Sequence, residues 1–299
     1  MKNIEFNKYY KQFGFLSSIL ILVSLSLLFF KGLNYGVDFK GGTLIEIRIE
    51  NSDHSVSKVR DVFSNSNLPN LTVKNFGNNK DYIIKFQKLN LDNPEFINEL
   101  KNKVAKSFPD IKFRRVENVG PKVSSELLKS GIIAISLSLA AMLFYIWIRF
   151  EWQFSLGAII ALFHDVILTL GVFSLLSLEI NLSIVAAVLT IVGYSMNDTV
   201  VIFDRIRDNL KKYADVHIFE LSNQSINETL SRTILTSVTT LLALLSIFFL
   251  GGEILRGFSL AMILGVIVGT YSSIYIANPT LVRLNVNHYT VVKKEDEKN

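Results

Sequence analysis

Six long apolar blocks constrain this chain more than any other feature. They are Phe13–Phe30, Gly131–Ile148, Phe154–Leu178, Leu182–Phe203, Ile234–Leu250 and Phe258–Leu281, and each is almost free of charge. A helix rises 1.5 Å per residue, so each block is near the length that crosses about 30 Å of hydrocarbon. The expectation is an α-helical membrane protein with six transmembrane helices.

Between the first two blocks lies a different composition. Leu33–Lys129 is polar, charged and long enough for a small folded domain. The expected layout is an arm with the first helix over 1–31, an external domain over 32–129, helices two to six over 130–282 and a tail over 283–299. Within the helical part, 204–232 reads as a connection.

The N-terminus resembles a signal peptide in having Lys2, Lys8 and Lys11 before an apolar run. That run is long for such a segment, and Lys31-Gly32-Leu33 makes a poor cleavage site, so an uncleaved first helix is expected. Basic residues set the orientation. Lys2, Lys8 and Lys11, then Arg149, then Arg205, Arg207, Lys211, Lys212 and Arg232, then Arg283, Lys293, Lys294 and Lys298 fall on one side. The opposite short turns hold only Arg256. The rule that positive loops stay inside puts both termini in the cytoplasm and 33–129 outside.

The external segment has alternating period-two runs at Thr43–Ile49, Leu71–Phe76, Tyr82–Phe86 and Ile111–Val116. Gly77-Asn78-Asn79 signals a turn, Val56–Phe63 has helical spacing, and Pro94–Phe108 is helical with Asn93 as N-cap. The order β-α-β-β-α-β predicts a ferredoxin-like α+β domain. No catalytic group gathers in it; His54 is its sole histidine, in a polar stretch.

The membrane blocks carry polar groups that lipid does not tolerate cheaply. Asp198 sits in the fourth block, six residues before Asp204, about 9 Å along the helix. A carboxylate at the bilayer centre costs roughly 2.5–3.5 kcal/mol on insertion scales. Tyr194 and Ser195 share its face, and Gly193 and Asn197 form an adjacent stripe that suits close helix packing. Arg232 lies near the start of the fifth block, at a depth comparable to Asp198 if the two helices are antiparallel. Thr229, Thr233, Thr236, Ser237 and Thr240 flank it on one polar face. His164 and Asp165 lie mid-way through the third block, with Thr169 one turn on. Gly265 and Gly269 in the sixth make a Gly-x-x-x-Gly packing signal, extended by Thr270, Ser272 and Ser273. Intramembrane charges mark ion paths, pairs or cavities. The same residues also fit a static polar cluster that locks helices together.

Several classes are excluded. There is no cysteine, hence no disulfide and no thiolate metal site. There is no Walker A motif, which removes a P-loop ATPase. No basic patch with interleaved aromatics argues for nucleic acid. No cofactor or metal is expected, nor an enzyme activity. The residues leave open a gradient-driven membrane protein with a shared intramembrane site and a non-transporting scaffold.

The motifs YGVDFKGGT, VGPKVSSEL, HDV, VGYSMNDTVVIFDRIRDNL, SRTILTSVTT and GTYSSIYIANP occur in this order over nearly the whole chain. In them the chain resembles the SecF family, the smaller membrane subunits of the SecD–SecF complex of the Sec protein translocase, within the resistance-nodulation-division superfamily. The resemblance implies a SecD-like six-helix partner, the Sec translocon channel and a translocating polypeptide as further partners, and a bacterial inner-membrane location. It also implies use of the proton gradient in late translocation; the alternative is a proton-coupled small-molecule exporter subunit of the same superfamily. By motif position the resemblance implies that Asp198 is the proton-path acid and Arg232 its basic companion; Asp165 and Asn197 are added to the path from their own placement in the membrane blocks.

Overall fold

A computed structural model describes residues 4–50, 55–66, 68–76, 78–87 and 94–296. Asn93, Gly77 and His54 lie outside the described residues. The chain divides into two compact units, one spanning Tyr35–Ile132 and the other comprising the segments on either side of it.

The smaller unit contains β1 (Gly42–Ile49), α2 (Val56–Ser64), β2 (Thr72–Phe76), β3 (Asn78–Phe86), α3 (Pro94–Ser107) and β4 (Ile111–Val119). The sheet is antiparallel with order β2-β3-β1-β4, the ferredoxin-like arrangement expected from the alternation. In β1 the period-two pattern sends Ile45, Ile47 and Ile49 to one face, where they pack on Val59 and Phe63 of α2 and on Leu100 and Val104 of α3. The opposite face carries Glu46 and Arg48. Arg48 grips the buried Asp81 with two bonds of 2.7 Å, and Arg114 stands 3.6 Å away. Ser55 caps α2 by accepting from Lys58 N at 3.3 Å. At the entry to β1, Gly41 and Gly42 have φ of 74° and 130°. A Cβ on Gly42 would sit 2.7 Å from the carbonyl oxygen of Phe86, so glycine is required there.

The larger unit holds α1 (Tyr10–Phe30), most of α4 (Pro121–Arg149), α5 (Trp152–Leu175), α6 (Leu182–Lys212), α7 (Ile218–Leu250) and α8 (Glu253–Ser272). A π-helical stretch, Ser273–Ala277, joins α8 to α9 (Asn278–Arg283), and α10 (His288–Asp296) follows. Six helical spans are long and apolar enough to cross a membrane. Their most apolar windows fall into two groups. About half of each window is buried in α5, α6 and the α8 span, at 56%, 50% and 50%; α1, α4 and α7 reach only 11%, 11% and 17%. The first group is the centre of the unit and the second its periphery.

Close helix approaches depend on small residues. Ser24 of α1 fills the space beside Gly171, where a Cβ would lie 2.4 Å from Ser24 Cβ. Gly265 and Gly269 bring α8 against Ile191 and Ser195 of α6. Gly193 has room: a Cβ there would meet only Met142 Cε, at 3.9 Å. Within this chain it is not a tight crossing, because α4 is the neighbour and stands further off.

The segment 204–232, expected as a connection, consists mostly of helix. α6 runs to Lys212 and α7 begins at Ile218, so just 213–217 links them. Polar pairing holds these ends. Arg205 Nε donates to Glu228 at 2.5 Å and Asn209 Nδ2 to Ser225 at 2.9 Å. Arg149 Nη2 donates to Asp204 at 3.0 Å, while the buried Glu151 pairs with Arg207 at 3.6 Å. The arm before α1 lies along this part of α7. Ile4 N donates to Asn227 Oδ1 at 2.9 Å and Asn227 Nδ2 returns a bond to Ile4 O at 2.8 Å.

Candidate polar site among the membrane helices

Two buried carboxylates stand at the packing of α5, α6 and α8. Asn181 starts α6 by accepting from Ile184 N at 3.1 Å. The helix then carries Ser195 and Asp198 three residues apart on one face, toward α5 and α8.

Asp198 is 2% exposed. Thr270 Oγ1 donates to its Oδ2 at 3.3 Å, and Ser237 Oγ stands 2.8 Å from Thr270 Oγ1. With Thr270's single proton on the carboxylate, Ser237 donates to Thr270, so a short relay runs from α7 through α8 to α6. Asn197 also hydrogen-bonds Asp198, although its own side chain is exposed. Arg232 acts on Asp198 through space, with no ion pair inside 4.0 Å. The contact pair that similar depth suggested is therefore absent from this arrangement: Thr270 and Asn197 occupy the carboxylate, and Arg232 is exposed on α7. Of the expected polar face on α7, Thr233 and Ser237 are buried, and Thr236 bonds back to the Arg232 carbonyl at 3.1 Å.

Asp165 is completely buried. Its Oδ2 accepts from Ser195 Oγ at 2.5 Å and Ser272 Oγ at 2.8 Å, and its Oδ1 is 2.8 Å from His164 Nδ1. Thr169 bonds the Asp165 backbone carbonyl at 2.8 Å instead of the carboxylate. Gly269 is what admits this geometry, since a Cβ there would stand 3.1 Å from Ser195 Cβ and 3.5 Å from Asp165 Oδ2. Tyr194 shares the helix but not the network; its hydroxyl is buried without a partner.

Sequence reasoning placed Thr270, Ser272 and Ser273 on a packing face. Two of them are ligands of the carboxylates, and Ser273 Oγ lies 2.9 Å from Thr199 Oγ1. Ser17 and Tyr271, which continue the Asp165 network, were not singled out. The available signal was Ser17 and Ser24, seven apart and therefore on one face of an apolar helix; both are buried. Among the described residues no cluster of three His, Asp or Glu could hold a metal.

Residues 99–287 match the family model for the C-terminal part of the protein export membrane proteins SecD/SecF, and residues 26–53 match that for the SecD/SecF GG motif. The chain is 48% identical over 267 residues to the protein translocase subunit SecF of Rickettsia bellii (strain OSU 85-389), covering 89% of this chain and 88% of that protein. This chain belongs to the SecD/SecF family. The GG motif includes Gly41 and Gly42, whose positive φ values explain its glycines. SecF of Calditerrivibrio nitroreducens is 44% identical over 281 residues, 92% of each chain. The crystal structure of SecDF from Thermus thermophilus, described as a translocon-associated membrane protein, superposes with a TM-score of 0.86 at 36% identity over 94% of this chain. A second SecDF structure, in a super-membrane-facing form, gives 0.70 at 35% identity. This chain spans 38% and 40% of those two longer chains.

Proposed function

We propose that this chain is an accessory subunit of the Sec protein-export machinery in which Asp198 takes up and releases the coupling proton. The carrying observation is the way Asp198 is held. It is buried, its ligands are neutral, and Arg232 acts on it from beyond contact distance. Neutral hydroxyl and amide ligands serve both protonation states, because a threonine hydroxyl can donate to a carboxylate or accept from a carboxylic acid. Arg232 then favours the ionised form by an amount that depends on how far α7 stands from α6. Protonation and the position of α7 are thereby linked. One elementary charge moving through 100 mV supplies about 2.3 kcal/mol, enough to bias such a two-state element.

The partner reading follows from the periphery. α1, α4 and α7 expose apolar residues such as Phe15, Trp147 and Leu242, and α7 also exposes Arg232. Lipid covers the former but not a guanidinium, so a second membrane subunit, a SecD-type six-helix protein, is the fitting cover. With it come the Sec translocon channel and a translocating polypeptide, in the bacterial inner membrane with both termini cytoplasmic.

The test is Asp198→Asn, which is nearly isosteric and permanently neutral. The variant should assemble with its partner yet lose gradient-dependent export and proton flux. Normal gradient-stimulated export by an assembled Asp198→Asn complex would leave a static helix lock as the better account.

A further inference from the structure

His164 and Asp165 are adjacent on α5 and are 1% and 0% exposed. His164 Nδ1 stands 2.8 Å from Asp165 Oδ1, and Nε2 stands 3.2 Å from Ser17 Oγ on α1. Ser17 Oγ is 2.7 Å from the Tyr271 hydroxyl of α8, which is 2.8 Å from the Phe13 carbonyl oxygen. The Tyr271 ring stacks on His164 at 6.0 Å and 25°.

The proton positions follow from the ends of this chain. A carbonyl cannot donate, so Tyr271 gives its one hydroxyl proton to Phe13. Ser17 then gives its one proton to Tyr271 and meets His164 only as an acceptor. Nε2 must therefore carry hydrogen. At the other side of the ring, two bare lone pairs 2.8 Å apart would repel, so one proton lies between Nδ1 and Oδ1.

We propose that His164 and Asp165 are a second proton-holding site, separate from Asp198: an electrically neutral dyad whose shared proton is fixed by a one-way hydrogen-bond chain ending on Phe13. Imidazolium with carboxylate and imidazole with carboxylic acid hold the same number of protons and differ only in where the shared one sits. Losing it would leave a net negative charge in the packing. The groups that meet the dyad are Ser17 from α1, Ser195 from α6, and Ser272 and Tyr271 from α8. None is a cation. Among the described residues Asp165 pairs within 4.0 Å with no charged group other than His164. An uncompensated buried carboxylate is strongly disfavoured. The dyad therefore holds its shared proton and acts as a positioning element that joins α1, α5, α6 and α8. This holds whether or not Asp198 cycles.

The dyad gives Asp165→Asn a distinctive outcome. The amide N–H can take the place of the shared proton and donate to Nδ1, while the amide oxygen accepts from Ser195 and Ser272. The full hydrogen-bond pattern survives. The test is solid-state NMR of the full chain, labelled with 15N-histidine, in lipid bilayers. The chain has four histidines, and the His164 signal is assigned by its loss in His164→Gln. At neutral pH, Nε2 of His164 should be protonated and Nδ1 should share a proton with Asp165. Asp165→Asn should keep that Nε2 proton and melt like the parent. A bare Nε2, an Nδ1 with no shared proton, or loss of the Nε2 proton in Asp165→Asn would overturn the proposal. Should Asp165→Asn fail to fold, the parent's Nε2 and Nδ1 signals still decide the matter.

Discussion

Gly269→Ala tests the packing that brings the two carboxylates together. The added Cβ would stand 3.1 Å from Ser195 Cβ and 3.2 Å from Ser195 Cα. Carbon atoms rest comfortably at about 3.5–4.0 Å, so α6 must retreat from α8 by roughly 0.3–0.9 Å. Ser195 Cα belongs to the helix backbone, so a rotamer change cannot relieve the contact. Overpacking of this kind costs about 1–3 kcal/mol. Replacing glycine by alanine inside a helix also returns up to about 1 kcal/mol, which blurs the net value. Gly193→Ala is the matched control: it sits in α6, gains the same propensity, and meets only Met142 Cε at 3.9 Å. The difference between the two variants isolates the clash and should be about 1–3 kcal/mol, with Gly269→Ala the less stable. The assay is equilibrium unfolding of the purified full chain in mixed detergent micelles. Equal stabilities, or Gly193→Ala as the weaker variant, would refute the view that Gly269 sets the α6–α8 distance.

The smaller unit should respond to acid through Asp81. Its hydrogen bonds with Arg48 hold its carboxyl below the usual carboxylate range, with Arg114 adding to the effect. A depressed folded value means the stabilisation is full above the unfolded value of about 3.9 and is lost as pH falls from there through the folded value. Denaturation of a fragment spanning 34–122 should therefore show a midpoint that drops below about pH 4; Asp81→Asn should lower the midpoint at neutral pH and flatten the acid limb, and an unchanged acid limb would count against the pair. At the arm, Asn227→Ala removes both bonds to Ile4. These are exposed, so the loss is about 1 kcal/mol in all, or roughly fivefold in local opening. Trypsin should cut after Lys8 faster by about that factor, and an unchanged rate would mean the arm is held by other contacts.

The parts of this fold that were legible share a short-range signal. Ile45, Ile47 and Ile49 announce a strand by alternation alone, and the membrane blocks announce themselves by length. Helix ends were not legible by that means, because hydropathy reports contact with lipid and not helicity. α7 starts at Ile218, well before its apolar part, since Asn223, Ser225 and Glu228 are spent on the arm, on Asn209 and on Arg205. In the site, Asp198, Asp165 and Arg232 stood out because charge in lipid is conspicuous. Their ligands did not. A serine or threonine in a membrane helix satisfies itself on the carbonyl four residues back as readily as it serves a neighbour, and nothing local tells Thr236, which does the first, from Ser272, which also reaches Asp165.

The hydrogen-bond chain through Ser17 has a bearing on how the protein is made. α1 leaves the ribosome before α5 and α8, and its partners His164 and Tyr271 lie 147 and 254 residues downstream of Ser17. Ser24 likewise waits for Gly171 to arrive with α5. During synthesis the first helix must reside in the bilayer with these hydroxyls turned back on its own backbone, as Ser18 and Ser26 remain in the finished protein. The last long helix supplies Tyr271 and so completes the first. Assembly of this unit is thus closed by its two ends meeting, and a chain that stopped before α8 would hold a first helix still free to drift away.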